Sequence, residues 1–309
     1  MNAPASEVPA CGPASGCTRI DPLRSDGPGR YADEKVAVVH ARAGSAAAGV
    51  EIVRTPHFSV RREGHRVRVD HALAPSEVDN DLAGVLEREL FAPGWLSGAE
   101  IFERVFTGLV VSTVDDPGRA WAEFYGNTLA GIERDVAGDG HSTIAGMAPV
   151  YRRAMELVEP GRVLDVGSCF GFLALLLSRR PGTEVVASDI AAGTIGLLRA
   201  HARRQGLRLG TLVCDGARVP LPDAAVDTVS VIHLLEHLEP EHGAAVVAEA
   251  VRLARRRVVL AVPFEREPNT AFGHVRAFDL DGLAELGRAS GLPFQVAEHH
   301  GGWLMLDAA

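Results

Sequence analysis

Lysine is nearly absent from this sequence of 309 residues: Lys35 is the only one, and almost all 31 basic residues are arginines. Together with the many alanines and glycines, this bias is typical of a bacterial genome rich in G and C. The basic residues form no long cluster, and the formal net charge is −9. Because a groove that follows a phosphate backbone needs clustered positive charge, we expect no nucleic-acid partner.

Long apolar runs are also lacking. No stretch approaches the roughly 20 apolar residues that a membrane helix needs. Residues 1–16 have neither the basic nor the apolar region of a secretory signal. We therefore expect a cytoplasmic protein with no membrane partner.

Cysteine is scarce. The four cysteines are Cys11, Cys17, Cys169 and Cys214, and their spacing fits neither a zinc knuckle nor a disulfide framework. We expect all four to be reduced thiols. Hydrophobic residues make up 47% of the chain and charged residues 23%, which is a normal globular balance. The hydrophobic residues are enough to form the core of one large domain or of two modest ones.

The composition and the hydrophobic pattern change twice in the first half of the chain. Residues 1–30 are rich in proline, glycine, alanine and serine, which predicts a disordered tail. Residues 35–73 are β-branched and partly alternating, which predicts two to four strands. From residue 79 to 158, apolar residues recur at helical spacing. We assign residues 31–140 to an N-terminal α+β region that assists catalysis or holds substrate.

Helix boundaries in this region have local signals. Ser97 and Ser142 are predicted N-caps, and Pro117 suits the first turn of a helix. The glycines at 138 and 140 predict a joint before the last of these helices.

From Gly161 onward, apolar strands alternate with helical stretches. This order predicts right-handed crossovers and a mostly parallel, doubly wound sheet with helices on both faces. The continuous apolar runs VLDV, EVVA and VVLAV suit strands that are buried on both faces. We assign residues 141–309 to this α/β domain.

A glycine turn opens the α/β domain with the sequence DVGSCFGF. Gly167 permits a tight turn, and Gly171 lets the following helix approach the sheet. Cys169 replaces the central glycine of a dinucleotide fingerprint. A carboxylate at Asp165 would repel a pyrophosphate at the helix N-terminus, whereas a cationic ligand would tolerate it. The turn therefore disfavours NAD and favours a ligand with a positively charged amino-acid end.

Two further carboxylates follow the next two predicted strands. Asp189 ends the strand EVVASD, where an acidic side chain can accept hydrogen bonds from ribose hydroxyls. Asp215 follows the third strand, where it can accept from an exocyclic amine. A single aspartate in such a place is more often a helix cap or a solvated loop residue. Three of them at the ends of successive strands favour a ligand site.

The segments VLDVGSCFG, VVASDI, CDGARVPLPDAAVDTVSVIHLLEHL and VVLAVP, in this order, resemble the class I S-adenosylmethionine-dependent methyltransferases. The resemblance covers roughly residue 147 to the C-terminus. It implies a Rossmann-like fold and S-adenosyl-L-methionine as cofactor. The stretch Ser168–Phe170 departs from the family, which more often has a further glycine there. The residues implied in cofactor binding are Asp165, Gly167, Ser168, Gly171, Asp189, Ile190, Asp215, Gly216 and His233.

The stretch HLLEH, His233–His237, matches on its own the H-x-x-E-H signature of a zinc protease. That signature requires a helix, whereas a predicted strand ends here at His233 and no third ligand is apparent, so we expect no metal ligands. The resemblance places the stretch beside the cofactor's methyl group. His237 would then take a proton from an acceptor hydroxyl, with Glu236 as its orienter or an alternative base. An alternative of about equal weight is that Glu236 caps or packs against the next helix and that His237 only lines the wall of the site.

A second candidate base is His274, in the segment GHVRAF after the fifth predicted strand. Arg276 could bind an acceptor oxygen there. The alternative is that this segment is only a surface loop, capped by Asp279. We favour this alternative slightly more for Arg276 than for His274. Asp227 begins the fourth strand at the opposite edge and is predicted to be structural.

A closer resemblance concerns FYGNTLAGIE, DVGSCFGFLALLL and GHVRAFDLDGL, which are similar to the mycofactocin oligosaccharide methyltransferases. It implies O-methylation of a glucose unit, so the expected partner is a small-molecule or glycosylated acceptor. Open alternatives are a methyltransferase for another small molecule, a non-catalytic S-adenosylmethionine- or nucleotide-binding regulator, and, disfavoured by Asp165, an NAD-dependent oxidoreductase. The sequence leaves metal dependence and oligomeric state open.

Overall fold

The structure is a computed structural model that describes residues 20–44, 49–134 and 142–308. Cys11, Cys17 and the predicted joint at residues 138–140 lie outside these ranges, as does the boundary at 140/141, which stays a prediction. Within the predicted tail, residues 20–30 are hydrogen-bonded: Trp121 donates its Nε1–H to the Pro22 carbonyl at 2.7 Å. The expectation of disorder is wrong for those residues.

The part of the chain from residue 30 to residue 157 contains, within the described ranges, a five-stranded sheet in the order β1-β2-β5-β4-β3 and four α-helices. The β2–β5 pair is parallel, and the other pairs are antiparallel. Its strands are β1 (Arg30–Ala32), β2 (Val36–His40), β3 (Val50–Arg54), β4 (Phe58–Glu63) and β5 (Arg66–His71). Its helices are α1 (Asp81–Leu86), continued by a π-helical turn (Glu87–Phe91), α2 (Ala99–Thr113), α3 (Pro117–Glu133) and α4 (Thr143–Leu157).

The helix starts follow the local signals in two cases of three. The Ser142 hydroxyl accepts the N–H of Ala145 at 3.0 Å, and Pro117 is the first residue of α3, as predicted. The predicted cap at Ser97 is wrong, because α2 begins one residue later with Gly98 at the N-cap and no side-chain cap. Gly98 has a φ of 90°, a conformation that glycine adopts without strain.

The remaining elements form one seven-stranded sheet with helices on both faces, in the order β11-β12-β10-β9-β6-β7-β8. Its strands are β6 (Arg162–Val166), β7 (Glu184–Asp189), β8 (Leu209–Val213), β9 (Val226–Ile232), β10 (Ala254–Val262), β11 (Phe294–Glu298) and β12 (Gly302–Asp307). Its helices are α5 (Phe172–Ser178), α6 (Ala192–Arg204), α7 (Pro240–Leu253) and α8 (Leu280–Ser290).

The strand order places β6 at the point where the winding of the sheet reverses, since β7 and β9 lie on its two sides and both run parallel to it. Open α/β sheets bind ligands outside the carboxyl ends of the strands at this point. The predicted Rossmann-like, mostly parallel fold with an N-terminal α+β extension is confirmed. The antiparallel strands β11 and β12, which pair with each other and add to β10, were not predicted.

The N-terminal helices pack directly on the α/β part. Phe170, inside the glycine turn, contacts Phe106 of α2 and Trp121 and Phe124 of α3, with ring centroids 5.0–5.9 Å apart. At the opposite edge of the sheet Asp227 accepts the N–H of Arg162 at 2.8 Å, a structural contact as expected. No helix among the described residues is long and apolar enough to cross a membrane.

Candidate functional site

Both glycines of the turn have a backbone conformation and close contacts that favour glycine. Gly167 and Gly171 have φ angles of 71° and 76°, which favour glycine. A Cβ on Gly171 would lie 2.4 Å from Leu198 of α6, and one on Gly167 would lie 2.8 Å from Leu234. The backbone N–H groups of Gly167 and Ser168 both donate to the carbonyl of Ser188 on β7, at 2.8 and 2.9 Å. These bonds hold the turn against the neighbouring strand tip.

Asp165 lies inside β6 rather than on an exposed strand tip. Its side chain is 3% exposed and accepts a hydrogen bond from the Ser230 hydroxyl on β9 at 2.6 Å. Burial raises the pKa of the Asp165 carboxyl to about 7, although the bond from Ser230 opposes the shift. Near neutral pH this carboxyl therefore responds to the charge of a neighbouring ligand.

Asp189 joins the tip of β7 to both neighbouring loops. One carboxylate oxygen accepts the N–H of Cys169 at 2.9 Å, and the other accepts the N–H of Ala191 at 2.8 Å. Each oxygen keeps a lone pair for a further donor. Ile190, next in the chain, is 72% exposed and offers an apolar surface beside the carboxylate.

Asp215, just beyond β8, has a partner that the sequence did not reveal. Its carboxylate accepts the backbone N–H of Ala217 at 2.9 Å and pairs with Nε2 of His242 on α7 at 2.8 Å. Partial burial acts to raise the pKa of Asp215, but these two bonds together with the charges of His242 and Arg218 outweigh it and lower the pKa. A Cβ on the next residue, Gly216, would lie 2.8 Å from Val166, so the chain passes close to the β6 tip.

Ser168 is the unsatisfied member of the turn. Its hydroxyl oxygen is buried and has no hydrogen-bond partner in the described ranges. A buried hydroxyl without a partner costs free energy, so a ligand donor or acceptor at this point would stabilise it. Ser168 and the two strand-tip carboxylates of Asp189 and Asp215 together fit a polar nucleoside with an amino-acid end.

The HLLEH stretch is a strand end followed by a short 3-10 turn at Leu235–His237, not a protease-type helix. β9 ends at Ile232, one residue before the predicted end. His233 has a φ of 53°, and its Nε2 is buried without a partner among the described residues. Burial lowers the pKa of His233 to about 4.

Glu236 is 1% exposed, and neither of its carboxylate oxygens has a hydrogen-bond partner in the part of the chain that the structure describes. Burial raises its pKa to about 8. The alternative of a capping role for Glu236 is wrong, because α7 begins at Pro240 with Glu239 at its N-cap.

The structure brings His274 to the same place from the loop after β10. The rings of His237 and His274 meet edge to face with centroids 4.7 Å apart. His237 is exposed at the loop surface, whereas His274 is 8% exposed and its Nδ1 bonds Glu265 at 2.8 Å. Although part of the His237 side chain is exposed, desolvation by the surrounding loops, followed by the charge of His274, lowers the pKa of His237. One ligand atom each from Glu236, His237 and His274 lie within 4.8 Å of one another.

The backbone N–H of Arg276 donates to the carbonyl of Glu236 at 3.4 Å, but its side chain has a different partner. Its guanidinium stacks over the Phe278 ring at 4.2 Å, and Asp279 caps α8 by accepting the N–H of Gly282 at 2.8 Å. The alternative of a capped loop therefore describes Arg276 well. It does not describe His274, which is buried.

A cavity of about 450 Å³ opens beside the HLLEH loop. One wall comes from the N-terminal region, through α1, its π-helical turn and α4, and the other comes from the loops after β9, β10 and β11. Its lining mixes polar and apolar side chains, among them Glu87, Ser142, Thr143, Met147, His233 and Phe272. A second cavity, of about 350 Å³, lies at the opposite edge near Thr228 and Arg256, where α/β sheets do not place ligands.

Comparison with known proteins agrees with this geometry. A family model described as a methyltransferase domain matches residues 163–257. A protein of Mycolicibacterium smegmatis described as a probable S-adenosylmethionine-dependent methyltransferase is 30% identical over 193 residues, covering 55% of this chain and 71% of that protein. The demethylmenaquinone methyltransferase of Thermus thermophilus is 34% identical over 129 residues, covering 40% of this chain and 58% of that protein.

A crystal structure of a SAM-dependent methyltransferase from Aquifex aeolicus is 18% identical, covers 58% of this chain and 96% of that chain, and has a TM-score of 0.44. The chain belongs to the S-adenosylmethionine-dependent methyltransferases, and its cofactor is S-adenosyl-L-methionine. It spans somewhat more than half the length of the Thermus relative, 58%, and 34% of a malonyl-[acyl-carrier protein] O-methyltransferase from Methylococcus capsulatus.

Proposed function

We propose that this protein transfers the methyl group of S-adenosylmethionine to a sugar hydroxyl on a small glycosylated molecule, with a mycofactocin oligosaccharide as the acceptor. The choice of acceptor rests on the resemblance of FYGNTLAGIE, DVGSCFGFLALLL and GHVRAFDLDGL to that class of enzymes. The observation that carries the proposal is the mixed polar and apolar cavity that ends at His233, beside the carboxyl edge of the sheet.

The cofactor would lie across the tips of β6, β7 and β8. The free lone pairs of Asp189 would accept the ribose hydroxyls, and Asp215 with the backbone around Gly216 would address the adenine. The glycine turn would hold the amino-acid end, close to the Ser168 hydroxyl and to Asp165. Ile190 would cover one face of the adenine ring.

The acceptor would enter from the side of the N-terminal region. A sugar ring presents hydroxyls around its rim and a less polar face, and the cavity offers both kinds of partner in Glu87, Ser142, Met147 and Phe272. Holding the hydroxyl in line with the sulfonium methyl is the main task, because positioning supplies much of the rate enhancement of such a transfer.

The chemical step forms an O–CH₃ bond and breaks the S–CH₃ bond. The products are the methyl ether, S-adenosylhomocysteine and one proton. His237 is the first candidate to take that proton, with Glu236 as orienter or alternative base and His274 as a further candidate. Ring nitrogens and carboxylate oxygens of these three residues lie close enough to act on one acceptor oxygen.

The test is to incubate the protein with methyl-labelled S-adenosylmethionine and mycofactocin carrying its oligosaccharide. We expect one label per glycan in an O-methyl hexose, identified by fragmentation mass spectrometry, and none in the aglycone control. Cofactor binding without transfer to any small molecule would support the regulator instead. Label on a quinone ring carbon would overturn the sugar assignment in favour of an acceptor like that named for the Thermus relative.

A further inference from the structure

Two loops that are distant in sequence bring a carboxylate and two imidazoles together next to His233, which itself lines the acceptor cavity. Glu236 and His237 follow β9, and His274 follows β10. A set of ligand atoms, one from each, lies within 4.8 Å. The function proposed above needs at most one base from this group, so the presence of all three calls for a further explanation.

Glu236 supplies an independent indication of a missing partner. Its side chain is 1% exposed, and both oxygens are without a hydrogen bond from the described residues. The nearby Nδ1 of His233 is 3.7 Å away, which is too far for a hydrogen bond. A buried carboxyl whose oxygens have no hydrogen-bond partner is costly even when it is protonated, so a cation bound at this point would stabilise the side chain.

The imidazole of His274 is held by a carboxylate, as metal-binding histidines often are. Nδ1 of His274 bonds the carboxylate of Glu265 at 2.8 Å, which leaves Nε2 of His274 for another partner. Nδ1 of His237 faces Gly273, where a Cβ would lie 3.8 Å from that nitrogen. Metal-binding histidines almost always use their second nitrogen for a hydrogen bond to a carboxylate or a backbone carbonyl.

We propose that Glu236, His237 and His274 bind one divalent transition-metal ion. Two imidazoles and one carboxylate favour a first-row transition metal over Mg²⁺ or Ca²⁺, which prefer oxygen ligands alone. Metal–ligand bonds of about 2.0–2.2 Å require the three ligand atoms to approach to about 3–4 Å of one another. The three ligand atoms lie within 4.8 Å of one another in the structure, so the side chains must move closer together when the ion binds.

The ion has a role in the reaction, and this part rests on the proposed function. Three protein ligands leave coordination positions open, and an acceptor hydroxyl that reaches the ion can bind there through its oxygen. Coordination lowers the pKa of a bound hydroxyl, so that its proton can leave to water. His237 then acts by holding the ion instead of taking the proton, and the products remain the methyl ether, S-adenosylhomocysteine and one proton.

Cobalt binding tests the site without cofactor or acceptor. The full chain, stripped with a chelator, is titrated with Co²⁺ by calorimetry and visible absorption. We expect one saturable Co²⁺ per chain and at least tenfold weaker binding of Mg²⁺. Glu236→Gln and His274→Asn should each weaken Co²⁺ binding by more than about tenfold, and Glu265→Gln, which acts through His274, by about tenfold.

His65→Asn is the matched control, because His65 is exposed in the turn between β4 and β5. It should bind Co²⁺ as the unaltered protein does. S-adenosylmethionine affinity, measured on every variant, verifies that each one is folded. No saturable Co²⁺ binding, or equal affinity in all variants, would overturn the metal site.

A separate arm distinguishes this inference from the proposed function. Methyl transfer by the chelator-stripped protein should fall at least tenfold and return when Co²⁺ or Mn²⁺ is added. Unchanged methyl transfer after the metal is stripped would contradict the metal site, and the methyltransferase proposal would still hold. Tight Co²⁺ binding without any methyl transfer to a sugar would contradict the proposed acceptor, and the proposed metal site would still hold.

Discussion

The carboxylate of Asp189 accepts the backbone N–H of Cys169 at 2.9 Å and thereby ties the tip of β7 to the glycine turn after β6. Its second oxygen accepts the N–H of Ala191 at 2.8 Å, at the start of α6. One side chain therefore shapes the two loops that would enclose the ribose and the amino-acid end of the cofactor.

Asp189→Ala should weaken S-adenosylmethionine binding at least tenfold. The substitution removes the proposed acceptor for the ribose hydroxyls and frees two backbone N–H groups, and a hydrogen bond to a charged group contributes about 1.5–3 kcal/mol. Isothermal titration calorimetry measures the change. Asp223→Ala removes a carboxylate that is 82% exposed and should leave the affinity unchanged. Equal affinities for the two variants would contradict the assignment of Asp189.

Gly171→Ala should destabilise the protein by about 1–3 kcal/mol, because a side chain is strained at positive φ and the new methyl group would meet Leu198. Gly196→Ala, on the exposed face of α6 with open space around it, should instead stabilise by about 0.5–1 kcal/mol. Urea unfolding of both variants gives the comparison. A stable Gly171→Ala protein would show that the turn tolerates a different backbone.

Asp165 should make the free protein less stable as pH rises. Its folded pKa of about 7 lies above the unfolded value near 4, so the native state keeps a proton that the unfolded chain loses. The resulting stabilisation is complete below about pH 4 and is lost as pH rises to about 7. Asp165→Asn removes this dependence. We expect its melting temperature, relative to the unaltered protein, to increase from pH 5 to about pH 7 and to level off above that.

The same carboxyl should make cofactor binding depend on pH. A cationic ligand beside Asp165 favours its ionised form, so S-adenosylmethionine should bind more tightly at pH 8 than at pH 6 and should release protons at pH 6. Calorimetry in two buffers of different ionisation enthalpy counts those protons. Methylthioadenosine, which lacks the amino-acid end, is the control and should show neither effect.

His237→Ala should leave S-adenosylmethionine affinity unchanged and lower kcat by about 100-fold or more, because the residue acts on the acceptor rather than on the nucleoside. Steady-state kinetics with the methylated glycan as product gives kcat and KM separately. A variant with normal kcat would exclude His237 from the reaction.

Arg104→Met should cost about 3–5 kcal/mol of stability. The Arg104 guanidinium is 1% exposed and donates to Asp33 at 2.6 Å, and its loss leaves the Asp33 carboxylate buried without its cation. Lys35→Met breaks a half-exposed pair with Glu100 and should cost less than about 1 kcal/mol. Similar losses for the two variants in thermal unfolding would contradict the difference in burial.

Local patterns in the chain were sufficient for the doubly wound sheet and for the position of the glycine turn. Parallel strands buried on both faces need continuous apolar runs, and a turn at positive φ needs glycine, so both features are written in short segments such as VLDVG. The same holds for Pro117 and Ser142, whose effects on helix starts are local.

Folding alone determined which distant residues meet. His242 reaches Asp215 because α7 packs beside β9, and His274 reaches His237 because β9 and β10 are adjacent. Strands β11 and β12 depend on their antiparallel pairing with each other and with β10. Contacts of this kind depend on three-dimensional packing and have no local signal in the chain. For that reason the arrangement of Glu236, His237 and His274 could be recognised only in the folded protein.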